Sequence, residues 1–231
     1  MSKTAILVDG GFYRKRFEKG LQHTPQEAAD ALVTYCFRHL EERYIKHDLY
    51  RIFYYDAPPC TKKIFHPLYN RTFDFAKSDY SKWMNSFLKE LTKKRKLALR
   101  LGIIDEGSAV YSLKPSTTQD LFLKKKTLDT LTDDDFFASI KQKGVDMKIG
   151  MDIASLAYKK QVDQIVLIAG DADFVPAAKL ARREGIDFVL DSLGLPIKDD
   201  LFVHIDGKRS CGDPYFNSQK AVRKQTVGQV I

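Results

Sequence analysis

The sequence is poor in the residues that staple small folds. Its three cysteines, Cys36, Cys60 and Cys211, are far apart and odd in number. They form no CxxC pair, and no Cys/His cluster has zinc spacing. The pattern argues against a disulfide framework and against a structural zinc, and is compatible with a reducing cytosol. No apolar run approaches the ~18 residues a membrane span needs. The first apolar run is interrupted by Asp9, so it does not read as a secretory leader. Neither GxGxxG nor GxxxxGK[ST] is present, which argues against dinucleotide or P-loop nucleotide binding. His23, His39, His47, His66 and His204 show no pairing that suggests a general base. There is no internal repeat and no low-complexity tract. A cytoplasmic protein without membrane attachment is expected.

What is there is a basic chain of one-domain length. Lys and Arg number 38 against 30 for Asp and Glu over 231 residues, a net charge of +8. That balance favours polyanionic partners. The stretch Gln164-Ile-Val-Leu-Ile-Ala-Gly-Asp-Ala-Asp-Phe174 organises the rest. A short, unalternating apolar run of this kind suits a strand buried on both faces of a parallel sheet. Residues 175–184 read as a helix and residues 186–190 as a further strand, which makes a βαβ unit. Residues 4–8 are a second buried-strand run, ending at Asp9-Gly10-Gly11, where the glycines permit a tight turn. Thr24-Pro25-Gln26-Glu27 is a helix start with cap, proline and capping glutamate, and the helix is expected to reach about Tyr44. Residues 49–55 read as the next strand.

The middle of the chain is less explicit. Residues 57–78 read as a connecting segment rich in Phe, Tyr and Lys. Residues 79–94 read as a helix, residues 97–104 as a strand, and residues 110–113 as its hairpin partner. Residues 114–135 are polar and ambiguous, and residues 136–142 suit a short helix or a strand. Residues 145–158 are helical, with Val145, Ile149, Ile153 and Leu156 forming one apolar stripe. Gly150 inside that helix suggests close packing. Residues 201–205 suit an edge strand or a short helix. The expected organisation is one domain over residues 1–206, extended by an inserted segment around residues 57–135. A polar, mobile tail is expected over residues 207–231.

Carboxylates mark the expected site. Asp9 follows the first strand, Asp171 and Asp173 follow the strand at 164–169, and Asp146 opens the helix feeding that strand. Ligands of open α/β sheets sit beyond the carboxyl ends of the strands, at the point where strand order reverses. If the strand at 164–169 lies beside the first strand, all four carboxylates edge one crevice. Such a cluster calls for a hard divalent cation with oxygen ligands, as Mg²⁺ prefers. Plainer roles exist for each: Asp173 as a helix cap, Asp9 as a turn residue, Asp146 as a partner of the helix dipole. Asp152 lies on the apolar side of its helix and needs a partner there, which makes it an accessory carboxylate. Arg14, Arg16 and Lys148 are the candidate phosphate contacts. The run Lys93-Lys-Arg-Lys96 reads as a solvated helix end or as an RNA contact.

Three motifs in series carry a resemblance: Ile6-Leu-Val-Asp-Gly-Gly-Phe12, Gln142-Lys-Gly-Val-Asp-Met-Lys-Ile-Gly-Met-Asp152 and Ala169-Gly-Asp-Ala-Asp-Phe174. In order and spacing they resemble the NYN domain family, a branch of the PIN-like nuclease fold, and within it the bacterial LabA-like group. The resemblance spans residues 3–205. It implies a Rossmann-like α/β domain with a mainly parallel sheet flanked by helices. It implies Asp9, Asp146, Asp171 and Asp173 around Mg²⁺ or Mn²⁺, with Asp152 as accessory, and metal-dependent endonucleolytic cleavage of single-stranded RNA. A homodimer is compatible with it. Many family members place an asparagine shortly after the first aspartate; here Gly11 and Phe12 stand there. A non-catalytic RNA-binding or regulatory module is the competing reading. Haloacid-dehalogenase and Toprim patterns fit worse, since the first wants a second aspartate near Asp9 and the second a glutamate in its place.

Overall fold

The computed structural model describes residues 2–18, 21–41 and 46–215. Seven helices, twelve strands and several 3₁₀ turns are assigned among them. The centre is a six-stranded, wholly parallel sheet. Its members are β1 (Lys3–Asp9), β2 (Asp48–Asp56), β5 (Leu97–Leu101), β10 (Gln164–Ile168), β11 (Asp187–Asp191) and β12 (Gly207–Lys208), in the order β12-β11-β10-β1-β2-β5. β1 and β10 are neighbours, with Val8 level with Ile168. This is the adjacency on which the four-carboxylate crevice depends. Strand order reverses between them, since β2 and β5 extend to one side and β11 and β12 to the other.

Continuous apolar runs become inner strands because both faces of the sheet are covered. Ala5 to Val8 and Ile165 to Ile168 are almost wholly inaccessible. One face, bearing Ile6, Val8, Ile52 and Tyr54, packs on α2 (Pro25–Arg38) and α3 (Asp79–Thr92). The other, bearing Ala5, Leu7, Phe53 and Tyr55, packs on α5 (Val145–Tyr158) and α6 (Val175–Arg183). The stripe Val145, Ile149, Ile153 and Leu156 lies in this second core. The Thr24–Glu27 capping box forms, as the sequence indicates. Its helix ends at Arg38, and Tyr44 falls outside the described residues.

Several differences from the sequence reading stand out. Gly10 and Gly11 do not make a tight turn: Asp9 caps a helix, α1 (Gly10–Phe17), that begins at once. The strand expected over residues 97–104 breaks at Gly102, whose N–H donates to the Asp56 carbonyl at 2.7 Å. β6 (Ile103–Ile104) then pairs with β9 (Gln142–Lys143), and β7 (Val110–Leu113) pairs with β8 (Phe136–Ser139), not with β5. The segment at 57–78 is not a mere connection but carries a hairpin, β3 (Lys63–His66) with β4 (Arg71–Asp74). α4 (Pro115–Phe122) occupies part of the ambiguous stretch. Residues 199–202 are the short helix α7 (Asp199–Phe202), and residues 207–208 enter the sheet rather than starting a tail. A methyl group at Gly150 would meet nothing within 4 Å, so packing within this chain does not account for that glycine.

Gly10 is required by contact. A Cβ there would lie 2.4 Å from Tyr54 Cζ and 2.5 Å from Asp56 Oδ2. Tyr54 is fully buried and donates to Asp56, so neither can yield cheaply. Gly10→Ala is expected to destabilise the protein by roughly 1–3 kcal/mol through overpacking, seen as a lower urea midpoint. An unchanged midpoint would refute the close approach.

Candidate metal centre

The carboxyl ends of the parallel strands form one edge of the molecule. Asp9 terminates β1, and Asp171 lies three residues past the end of β10. Asp146 stands in the first turn of α5. These three side chains line one pocket of about 490 Å³, with Gly11, Phe12, Lys15, Gln142, Gly144, Gly170 and Lys198. A larger cleft of about 780 Å³ between α6 and His204 has a different character. Its Asp206 is taken by Arg182 at 2.8 Å, and its Asp187 by Gln164 at 2.7 Å.

Local structure holds each carboxylate. Asp9 Oδ1 accepts the Phe12 N–H at 3.0 Å, an N-cap, and the Gly11 N–H also acts on this carboxylate. Asp171 Oδ1 accepts the Asp173 N–H at 3.2 Å, opening a 3₁₀ turn over Ala172–Phe174. Asp173 is therefore not the cap of α6, whose capping position is Phe174. Gly170 leaves room for the Phe12 ring, since a Cβ there would lie 2.3 Å from Phe12 Cε2.

The electrostatics are those of uncompensated acid. Burial, followed by Asp146 and Asp56, raises the Asp9 carboxyl to about 6. Burial and then the neighbouring Asp171 and Asp173 raise that of Asp146. Asp173 thus acts on Asp146 through space, although it does not line the pocket. No ion pair to Asp9, Asp146, Asp171 or Asp173 forms among the described residues. Lys15 and Lys198 supply positive charge in the pocket lining.

The other expected residues lie elsewhere. Arg14 does not face the pocket. Its Nε and Nη2 donate to the two oxygens of buried Asp56, each at 2.9 Å, and its Nη1 donates to the Tyr80 hydroxyl at 2.8 Å. A guanidinium held at both ends of its fork by a carboxylate is not a phosphate contact. Arg16 lines a separate pocket with Phe17, Tyr35 and Ser210. Lys148 is exposed on α5 and outside the pocket lining. Asp152 has the partners its position demands, Tyr55 Oη at 2.8 Å and Arg100 Nε at 2.9 Å, and lies outside the pocket. Sequence reasoning passed over Lys15 and Lys198. Lys15 was legible, because it stands four residues after Gly11 on one helix face.

The residues fit a hard cation in chemistry, being oxygen donors only, with mutual repulsion that a cation relieves. Among the described residues, however, no three His, Cys, Asp or Glu side chains form a closed ligand cluster. The set suits an ion that keeps several waters and takes few carboxylates directly, as Mg²⁺ does.

The Asp9 shift gives a testable sign. Its folded-state value lies above the ordinary 3.8. The native state therefore holds the proton more tightly, and this stabilisation is lost as pH rises toward 6. Asparagine keeps the cap and removes the charge. In EDTA, Asp9→Asn is expected to match the parent below about pH 4 and to exceed its stability by roughly 1–3 kcal/mol above pH 6. Urea unfolding at pH 4 and pH 7.5 measures it, and a variant less stable at pH 7.5 contradicts the assignment.

No curated protein matches the chain. A solved structure of a Vibrio parahaemolyticus protein of unknown function is similar over 92% of this chain and 94% of its own, at 12% identity and a TM-score of 0.48. Among the described residues, no helix is long and apolar enough to cross a membrane. Residues 79–192, which carry Asp146, Asp171 and Asp173, match the NYN domain family model.

Proposed function

We propose that the protein is a Mg²⁺- or Mn²⁺-dependent endoribonuclease of the LabA-like kind, acting on single-stranded RNA. One observation carries this reading. Asp9, Asp146 and Asp171 share a pocket, Asp146 lies in repulsion with both of the others, and none has an ion-pair partner among the described residues. Asp9 and Asp171 would hold the cation, with Asp146 as a further ligand or as the group that orients water. Asp173 supports the field from outside the pocket. A divalent cation there would neutralise phosphoryl charge and activate water toward a phosphodiester.

The chain's own groups supply the rest. The Phe12 N–H fixes the rotamer of Asp9. The Asp173 N–H does the same for Asp171. Lys15 and Lys198 bring positive charge to the scissile phosphate and take the place of Arg14 in that role. Asp152, with Tyr55 and Arg100, is kept as a packing group of α5 against the sheet.

A second reading has a specific observation behind it. Gly11 and Phe12 follow Asp9-Gly10, where the resemblance implies an asparagine, and among the described residues no three donors close around a point. A catalytically silent RNA-binding module has these features.

Purified protein on labelled single-stranded RNA separates the two. Cleavage is expected with Mn²⁺, none with EDTA, and a fall of roughly 10²–10³-fold for Asp171→Ala. Binding without cleavage, unaffected by Asp171→Ala, would establish the silent module. Equal cleavage in all three conditions would remove the site from consideration.

A further inference from the structure

The segments inserted after β2 and β5 build a module with its own small core. His66, buried, is ringed by Tyr69, Tyr111 and Phe136 at centroid distances of 4.8, 4.1 and 5.1 Å. Phe73 and Phe75 pack on Tyr111. This core brings β3–β4 and β7–β8 together. Between them lies a groove of about 540 Å³ lined by Arg71, Phe73, Phe75, Lys77, Ser78 and Tyr111, among others.

The groove has the composition of a single-strand platform. Arg71 lies over the rings of Tyr69 and Phe73, its Cζ 5.1 and 4.5 Å from their centroids. No carboxylate stands against it among the described residues, so stacking holds the guanidinium while its N–H donors face outward. Tyr69 is 45% exposed. Residues 57–78 carry Lys62, Lys63, Arg71 and Lys77 against a single acid, Asp74. Asp74 accepts the Ala76 N–H at 3.1 Å and lies 4.0 Å from Lys77 Nζ, which leaves Lys62, Lys63 and Arg71 without a carboxylate from this segment. Aromatic floors with basic edges take single strands by stacking and phosphate attraction. A duplex, whose bases are already stacked and paired, gains nothing from the floor.

Contacts within the protein link the rim of the groove to the acidic pocket. Lys77 and Ser78 precede α3, whose Tyr80 touches Arg14. Arg14 is locked to Asp56, and Asp56 acts on Asp9. We propose that the inserted module, through Tyr69, Arg71, Phe73 and the groove beside them, is a docking platform for the single-stranded RNA on which the pocket of Asp9 and Asp171 acts. This rests on the nuclease reading for the choice of RNA, but its test does not need cleavage.

Fluorescence anisotropy of a labelled 12-nucleotide RNA in EDTA reads binding alone. Arg71→Ala and Tyr69→Ala are each expected to weaken binding by about 5- to 50-fold. Arg71→Ala should also lower the slope of log K against log salt by about 0.7, one phosphate contact, and Tyr69→Ala should leave it unchanged. Phe65→Ala is the control: Phe65 is 52% exposed and alternates to the other face of the same hairpin. It should bind as the parent does, and circular dichroism checks that all three fold. Unchanged affinity in Arg71→Ala and Tyr69→Ala, equal loss in Phe65→Ala, or duplex RNA bound as tightly as the single strand would each overturn the platform. Loss of Mn²⁺-dependent cleavage in the parent with these binding effects intact would overturn the nuclease reading alone.

Discussion

Parallel pairing forces all strand carboxyl ends to one edge, and four adjacent strands here end at or just before an aspartate. They are Asp191 after β11, Asp171 after β10, Asp9 after β1 and Asp56 after β2. Charge of one sign along a half-buried edge costs several kcal/mol per ion unless it is paired. The outer two members are compensated in full. Asp56 takes the Arg14 fork, the Tyr54 hydroxyl at 2.9 Å and the Ala57 N–H at 2.8 Å. Asp191 is buried, which raises its pKa. His39 at 2.9 Å, Ser210 at 2.6 Å and Tyr35 at 2.5 Å outweigh this and hold it below the usual carboxylate range. The inner two receive backbone N–H groups only, Asp9 from Phe12 and Gly11 and Asp171 from Asp173. That contrast, more than any motif, separates site from scaffold.

The same contrast explains what the sequence does and does not disclose. Inner strands were legible because burial on both faces writes an uninterrupted apolar run, as at 164–168. α3 and α5 were legible through their stripes and starts. α1 was not, because its first two residues are glycines and its cap doubles as a site carboxylate. The hairpin at 63–74 was hidden because its buried face holds a histidine and its turn runs through Pro67 and Asn70. β7 was assigned to the wrong partner, since pairing depends on the path of the chain after Gly102 and not on the strand's own composition.

Within the site, the residue types were legible and the pairings were not. Asp9, Asp146 and Asp171 meet because β1 and β10 are adjacent, a condition the sequence states only through the order of its motifs. Arg14 and Lys15 are neighbours in the chain yet face different partners. One helical step of 100° sends Arg14 to Asp56 and Lys15 to the pocket. No compositional argument separates them. Asp152 shows the reverse: its position on a buried stripe already required a partner, and Tyr55 and Arg100 provide it.

Phe12 gathers these threads at one position. Its backbone N–H caps Asp9, so the helix start and the carboxylate rotamer are one interaction. Its ring lies where any side chain at residue 170 would stand, so the glycine before Asp171 is a packing requirement as well as a turn. A polar side chain at residue 12 would add a hydrogen-bonding group to the pocket. The ring instead gives the pocket one apolar wall between two carboxylates. An apolar wall solvates charge poorly and strengthens each interaction beside it. It therefore contributes to the burial that raises the Asp9 pKa, and it makes relief of the pocket's negative charge depend on what enters from solvent.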